Sequence, residues 1–172
     1  MIFFDQPFRH STNSDQRRRS METRVHISIE VSDIAKSVAF YSKLFQREPT
    51  KTRPDYANFR LETPQLHLAL VHKPGKPKEP GFDHGNNRHF GVELFSNDKL
   101  KAWLSSAQTS GLVPRIEEDV TCCYARADKF WTQDPDGHEW EFWVRSAEAE
   151  SMHGAIETET KSAACCAPGL CG

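Results

Sequence analysis

An internal repeat constrains this chain more than any other feature. The segment Val25-His26-Ile27-Ser28-Ile29-Glu30-Val31 alternates apolar and polar residues, as a half-buried strand does. The segment Arg88-His89-Phe90-Gly91-Val92-Glu93-Leu94 repeats the pattern 63 positions later, laying His26 on His89, Glu30 on Glu93 and Phe40 on Trp103. Helix-capping residues follow each strand, Asp33 in the first copy and Asn97 or Asp98 in the second. Val38, Tyr41, Leu44 and Phe45 then form an apolar helical stripe, matched by Leu100, Trp103, Leu104 and Ala107. Strands are expected over 56–61 and 65–71 in one copy, and over 113–118, 124–132 and 139–144 in the other. The implied fold class is α+β. It has two tandem β-α-β-β-β modules, each a curved, mixed, mostly antiparallel sheet, with polar inner faces meeting around a cleft.

The modules span 22–72 and 88–145, within one domain covering 22–145. Between them, 73–87 is rich in Pro, Gly and Lys and reads as a linker. Residues 1–21 contain Arg17, Arg18 and Arg19 without a following apolar stretch, so they read as a disordered extension rather than a secretory signal. Met21 would be a natural start for the folded part. Residues 146–172 carry few large apolar side chains and are expected to be a disordered, cysteine-containing tail. With 22 basic against 24 acidic residues, nothing favours nucleic acid or an anionic membrane as partner. No apolar run is long enough to span a bilayer. Five cysteines fall in two clusters rather than a disulfide framework, which points to a reduced, cytoplasmic setting with reactive or metal-binding thiols.

Cys122 and Cys123 form the first cluster. Neighbours on a regular strand point to opposite faces, so this pair can converge its sulfurs only on a loop or a bulge. Converged, it is a poor structural disulfide, because a bridge prefers a wider Cα separation than adjacent residues have. It is a good clamp for a thiophilic atom. Trivalent arsenic carrying one carbon substituent has two bonds left for thiolates. Lys129 is a candidate for lowering the thiol pKa, and Tyr124 and Lys129 are candidates for a loop that closes over the substrate, although packing and solvent exposure are ordinary roles for both.

His26 and His89 hold equivalent, polar-face positions in the repeat and can face each other across a pseudo-twofold axis. Glu141 is the candidate third ligand, because the Pro135-Asp136-Gly137 turn launches a strand with Glu139, Glu141 and Trp143 on one face. Two imidazoles and a carboxylate match the facial triad suited to Fe(II) and O₂, though imidazole also suits Ni, Co and Zn. Glu139 competes with Glu141. The histidines at 67, 72, 84 and 138 have no repeat support and read as surface or loop residues. Glu30 and Glu93 read as exposed charges rather than hydrogen-bond partners of the ligands.

These residues resemble the vicinal oxygen chelate superfamily, which includes glyoxalase I, bleomycin resistance proteins and extradiol dioxygenases. Within it the chain is similar to the C–As lyases, formerly described as cadmium-induced proteins. The matching segments are Phe40-Tyr41-Ser42-Lys43-Leu44-Phe45, Arg53-Pro54-Asp55-Tyr56-Ala57-Asn58-Phe59 and Asp119-Val120-Thr121-Cys122-Cys123-Tyr124-Ala125. The resemblance covers roughly 22–145 and implies an Fe(II)- and O₂-dependent enzyme that cleaves the carbon–arsenic bond of methylarsenite or trivalent aromatic arsenicals, releasing arsenite for detoxification. It assigns metal ligation to His26, His89 and Glu141, and substrate binding to Cys122 and Cys123. The first metal position can be Gln in that family, whereas here it is His26.

Cys165, Cys166 and Cys171 offer three thiols, the number inorganic arsenite can use. They are candidates for capturing product or handing it to a metallochaperone or efflux system, or are incidental thiols of a tail. Two rival functions remain open. A non-enzymatic cadmium- or arsenic-sequestering protein accounts for the thiols but not for His26, His89 and Glu141. Another enzyme of the same scaffold, such as an extradiol dioxygenase, accounts for the triad but not for the thiols. The modules can pair within one chain or exchange between the chains of a homodimer.

Overall fold

Each apolar stripe predicted from the repeat becomes a helix lying on its own four-stranded sheet. The structure is a computed structural model and describes residues 23–75 and 89–152. The elements in order are β1 (Val25–Val31), α1 (Ile34–Phe45), β2 (Lys51–Arg53), β3 (Tyr56–Leu61) and β4 (Leu66–His72). The second copy follows with β5 (Phe90–Glu93), α2 (Asn97–Thr109), β6 (Arg115–Cys122), β7 (Ala125–Gln133) and β8 (Glu139–Glu148). The sheets have the orders β1-β4-β3-β2 and β5-β8-β7-β6. In each, the first strand pairs in parallel with the last and all other pairings are antiparallel. Two mixed four-stranded sheets, each with one helix, make an α+β fold of two β-α-β-β-β modules.

Asp33 caps α1, its side chain accepting from the Lys36 amide at 3.0 Å. Gln46 ends the helix at φ 51, in the left-handed region. The second cap is Ser96, one position before the expected Asn97 or Asp98, because Ser96 keeps the extended backbone a cap needs while Asn97 is already helical. Strand β2 is too short and too exposed to show a burial pattern. Strand β8 continues to Glu148, past the strand end expected at Val144 and the domain boundary expected at Arg145, because Ala147 and Glu148 pair with Arg126 and Ala125 of β7.

The modules meet through their helix sides. Tyr41 and Phe45 of α1 pack against Trp140 of β8, with ring centroids 6.0 and 5.5 Å apart, and Phe45 also meets Trp103 of α2. One core therefore joins Ile29, Leu44, Phe59 and Leu68 of the first copy to Phe130, Trp140 and Phe142 of the second. The polar faces of both sheets lie outside that core. The expectation that these polar faces meet does not hold among the described residues of one chain, because the large apolar residues occupy the opposite faces and those are what associate.

A buried carboxylate locks this arrangement. Asp134, whose side chain is 0 % exposed, accepts from Tyr41 Oη at 2.8 Å and from the amides of Asp136 and His138, and also contacts His138 Nδ1 at 2.9 Å. Trp140 Nε1 donates to Tyr41 Oη at 3.2 Å. Burial and the adjacent Asp134 charge push the Tyr41 phenol well above its ordinary pKa, so it stays a donor. Both Asp136 carboxylate oxygens accept from the Ser32 amide just after β1. Tyr41→Phe keeps the ring but strips a partner from Asp134 and the acceptor from Trp140. Urea unfolding of this variant is expected to show a loss of about 1–3 kcal/mol, the cost of buried polar groups left unsatisfied.

Candidate functional site

The chemistry-bearing residues collect on the polar face of the second sheet. His89 immediately precedes β5, and its Nε2 lies 3.2 Å from Glu141 Oε2 on the neighbouring β8. The other carboxylate oxygen, Oε1, accepts from Lys129 Nζ at 3.0 Å. Lys129 is 5 % exposed, and it also lies 3.8 Å from Glu117 and 5.4 Å from the centroid of the Trp131 ring. His89 meets the same indole edge-on at 4.9 Å. Gly91 pairs with Glu141 and leaves the carboxylate head room, since a Cβ there would stand 3.7 Å from Oε2.

Burial raises the pKa of Glu141, but the His89 hydrogen bond and the Lys129 ammonium outweigh it and hold the carboxyl below its ordinary value. The two oxygens thus have separate duties. Lys129 fixes one, and the other faces an imidazole nitrogen at the spacing that two donors around one ion would have. Lys129, expected near the thiols, stands instead in the middle of the sheet against Glu141. Glu139 shares this face but is buried, opposite Gln133.

His26 is on the other sheet. Its ring stacks on that of His67 at 4.5 Å, and His67 Nε2 lies 3.3 Å from Asn58 Nδ2. Burial, then neighbouring His26 and Arg60, lower the pKa of His67. Among the described residues no group of three or more His, Cys, Asp or Glu converges. One chain therefore supplies His89 with Glu141 in one place and His26 in another. His67 lacks a repeat partner and read as a surface or loop histidine; its cross-strand pairing with His26 appears only with the β1–β4 register. Glu30 is exposed and pairs with Lys73 at 2.6 Å.

The thiols sit at the tip of the β6–β7 hairpin. Cys122 pairs with Ala125, leaving Cys123 and Tyr124 as a two-residue loop. Their φ angles of 55° and 63° are the positive values a type I′ turn demands, usually met by Asn-Gly. In this turn the two sulfurs converge to 3.4 Å, and neither forms a disulfide. Tyr124 is exposed, and the turn is tied to the chain after β8 by Cys123 N to Met152 O and Ala149 N to Tyr124 O, both 2.8 Å.

Along β7, Ala125 (the partner of Cys122) and Trp131 (the partner of Glu141) are six residues apart, about 20 Å at strand rise. Cys122 shares the sheet face of Lys129 and Glu141 by the alternation of its partner strand. Cys165, Cys166 and Cys171 lie outside the described residues, as do 1–22 and 76–88.

Comparisons with known proteins bear on the family and the fold. Residues 23–142 match the family model of the Glyoxalase/Bleomycin resistance protein/Dioxygenase superfamily. A protein of Bacillus sp. (strain MD1) named trivalent organoarsenical cleaving enzyme is 38% identical over 153 residues, 83% of this chain and 89% of that one. Cadmium-induced protein CadI of Mycobacterium tuberculosis is 36% identical over 130 residues, 76% of this chain and 81% of the relative. A glyoxalase/bleomycin resistance protein/dioxygenase crystal structure from Alicyclobacillus acidocaldarius superposes with a TM-score of 0.59 at 16% identity, covering 73% of this chain and 92% of that one, a likeness of fold.

The depressed Glu141 pKa has a testable sign. A carboxyl lowered by folding contributes stability above its unfolded pKa and loses it as pH falls through the lower folded value. Lys129→Met removes one of the interactions that hold the pKa down. NMR titration of the metal-free protein is expected to show the Glu141 pKa rising, with a weaker loss of stability on acidification below the ordinary glutamate range than in the unsubstituted chain.

Proposed function

The chain belongs to the Glyoxalase/Bleomycin resistance protein/Dioxygenase superfamily, and on that footing we propose that it cleaves the carbon–arsenic bond of trivalent organoarsenicals and releases arsenite. The observation that carries this reading is the pair of sulfurs held 3.4 Å apart on a hairpin that extends the sheet face of His89 and Glu141. Kinship with a protein named trivalent organoarsenical cleaving enzyme supports it. A monosubstituted arsenic(III) dihydroxide condenses with the two thiols, forming two As–S bonds and releasing two waters. The carbon substituent is then the one group on arsenic left for reaction.

The donors His89 Nε2 and Glu141 Oε2 fit a divalent ion, with His26 as third ligand. Fe(II) held there would supply activation of O₂. The chain's own part is to orient the ligands. Lys129 turns the carboxylate by holding Oε1, and a residue of this kind typically contributes 10–100-fold to affinity or activity. In the repeat Ile27 pairs with Leu68 as Phe90 pairs with Trp140, so Ala69 corresponds to Glu141. A fourth, symmetry-related donor is thus absent by side-chain type, and the three residues His26, His89 and Glu141 would hold the ion.

His26 reaches this site most directly from a second copy of the chain. Its sheet face and that of His89 both lie outside the shared core, so an isologous dimer can set one against the other twice. The thiols reach it by bending. The β6–β7 pairing shifts register between Glu117 and Val120, where Asp119 has φ 52, and the β7–β8 pairing shifts between Arg126 and Ala127. From Lys129, level with the β6–β7 shift, the tip lies about 13 Å one way and the Glu141 level about 7 Å the other, and the β7–β8 shift falls between Lys129 and the tip. A hairpin folding back at the break carries arsenic over Glu141.

The test is the full chain with Fe(II), a reductant, air and methylarsenite, followed by arsenic speciation. Arsenite formed only with both iron and oxygen supports the lyase; stoichiometric binding without conversion supports sequestration. Cys122→Ser and Cys123→Ser are each expected to lower arsenite release at least a hundredfold with iron content retained, since one thiol cannot chelate; full activity in either sinks the clamp. His26→Ala and Glu141→Ala chains, each inactive alone, are expected to regain roughly a quarter of full activity when mixed and re-equilibrated, because half the dimers then hold one intact site. No recovery would place His26 and Glu141 of one site on one chain.

A further inference from the structure

The polar face of the second sheet carries one aromatic side chain that the proposed chemistry leaves unused. Along β8 this face presents Glu139, Glu141, Trp143 and Arg145. Trp143 is half-buried, whereas Trp131, the other indole on the face, is 6 % exposed and donates to Glu117 at 3.2 Å. Trp131 is packed structure; Trp143 is a flat apolar surface with solvent access among charges. Arg145 stands 5.6 Å from its ring centroid, near the outer limit of about 6 Å for a cation over a ring, and is drawn toward Glu148 at 2.6 Å. The guanidinium lies over the ring at long range and is the group an aryl substituent would displace.

Position makes the ring useful. Trp143 pairs with Lys129 and so lies one alternate position from Glu141, on the side of the thiol hairpin. The β7 residues of the same face on the hairpin itself are Ala127 and Ala125, both small, so the arm that folds toward the ring brings little bulk of its own. The repeat provides an internal comparison, because Val71 holds the place of Trp143 in the first module. At this strand position the aromatic side chain, like Glu141 two residues before it, belongs to the second module, while the first module's polar face has Tyr56 on the neighbouring strand opposite Val71.

We infer that Trp143 is a specificity-determining residue, the platform on which an aromatic substituent of a thiol-bound arsenical stacks. This rests on the organoarsenical reading above. An aryl group on arsenic carried over the sheet by the hairpin lands beside Glu141, where offset stacking on the indole is available to it and not to a methyl group.

The experiment measures binding without turnover. Full-length protein carrying Cys165→Ser, Cys166→Ser and Cys171→Ser is titrated calorimetrically with phenylarsenite and with methylarsenite, without metal, under nitrogen and with a phosphine reductant. Trp143→Ala is expected to reduce the phenyl-over-methyl affinity ratio about tenfold, and Trp143→Phe to restore most of it. An unchanged ratio in Trp143→Ala, or an equal reduction in Trp143→Phe, overturns the assignment. Arsenite release by the same background with Fe(II) and air is scored separately: its absence counts against the lyase reading, while the affinity ratio still decides the role of Trp143.

Discussion

The Asp134 carboxylate is the interaction on which the rest of the structure leans. It is wholly buried, so it can exist only with its oxygens satisfied, and it draws its partners from both halves of the chain. The amides of Asp136 and His138 shape the turn that starts β8, while the Tyr41 hydroxyl ties that turn to α1. Where β8 starts decides which residues face outward. A slip of one residue would send Glu141 into the core and Trp140 into solvent. A polar bond in the interior thereby sets the register of a residue on the exterior.

The repeat made most of the architecture legible. A period-2 strand followed by a 3.6-period helix, twice over, specifies two like modules, and both helices and most strands fall where the apolar residues required. Asp33 was readable as a cap; Ser96 was not, because Asn97 and Asp98 beside it are equally good capping types and only the backbone distinguishes them. Which faces of the modules would meet was not legible either. Alternation reveals that a strand has two faces but not which partner covers each, and Tyr41, Phe45, Trp103 and Trp140 decided in favour of the helix sides. His89 and Glu141 could be paired from repeat and turn. Lys129 appeared as a charge near the thiols in sequence, yet strand rise carries it to the carboxylate.

Comparing the modules position by position shows where one of them has been specialised. Ala69 answers Glu141, Val71 answers Trp143, and a turn containing Pro54 and Asp55 answers the hairpin of Cys123 and Tyr124. His26 and His89 alone keep their identity among the candidate ligands. One module retains mainly a histidine and a surface, while the other holds carboxylate, lysine, indole and thiols. The family model spans both, as expected if neither half suffices alone.

Cys123 and Tyr124 have a consequence for affinity as distinct from fold. Each holds a left-handed backbone that costs an L-residue about 1–2 kcal/mol, and the folded chain bears that before any ligand arrives. In return the two sulfurs are already gathered, so closing a chelate ring freezes little further motion. A looser, glycine-containing tip would fold with less strain and would bind soft atoms more weakly, since the ordering would then be charged to the binding step. Whatever the two thiols take up, the preorganisation of their tip is stored in the backbone.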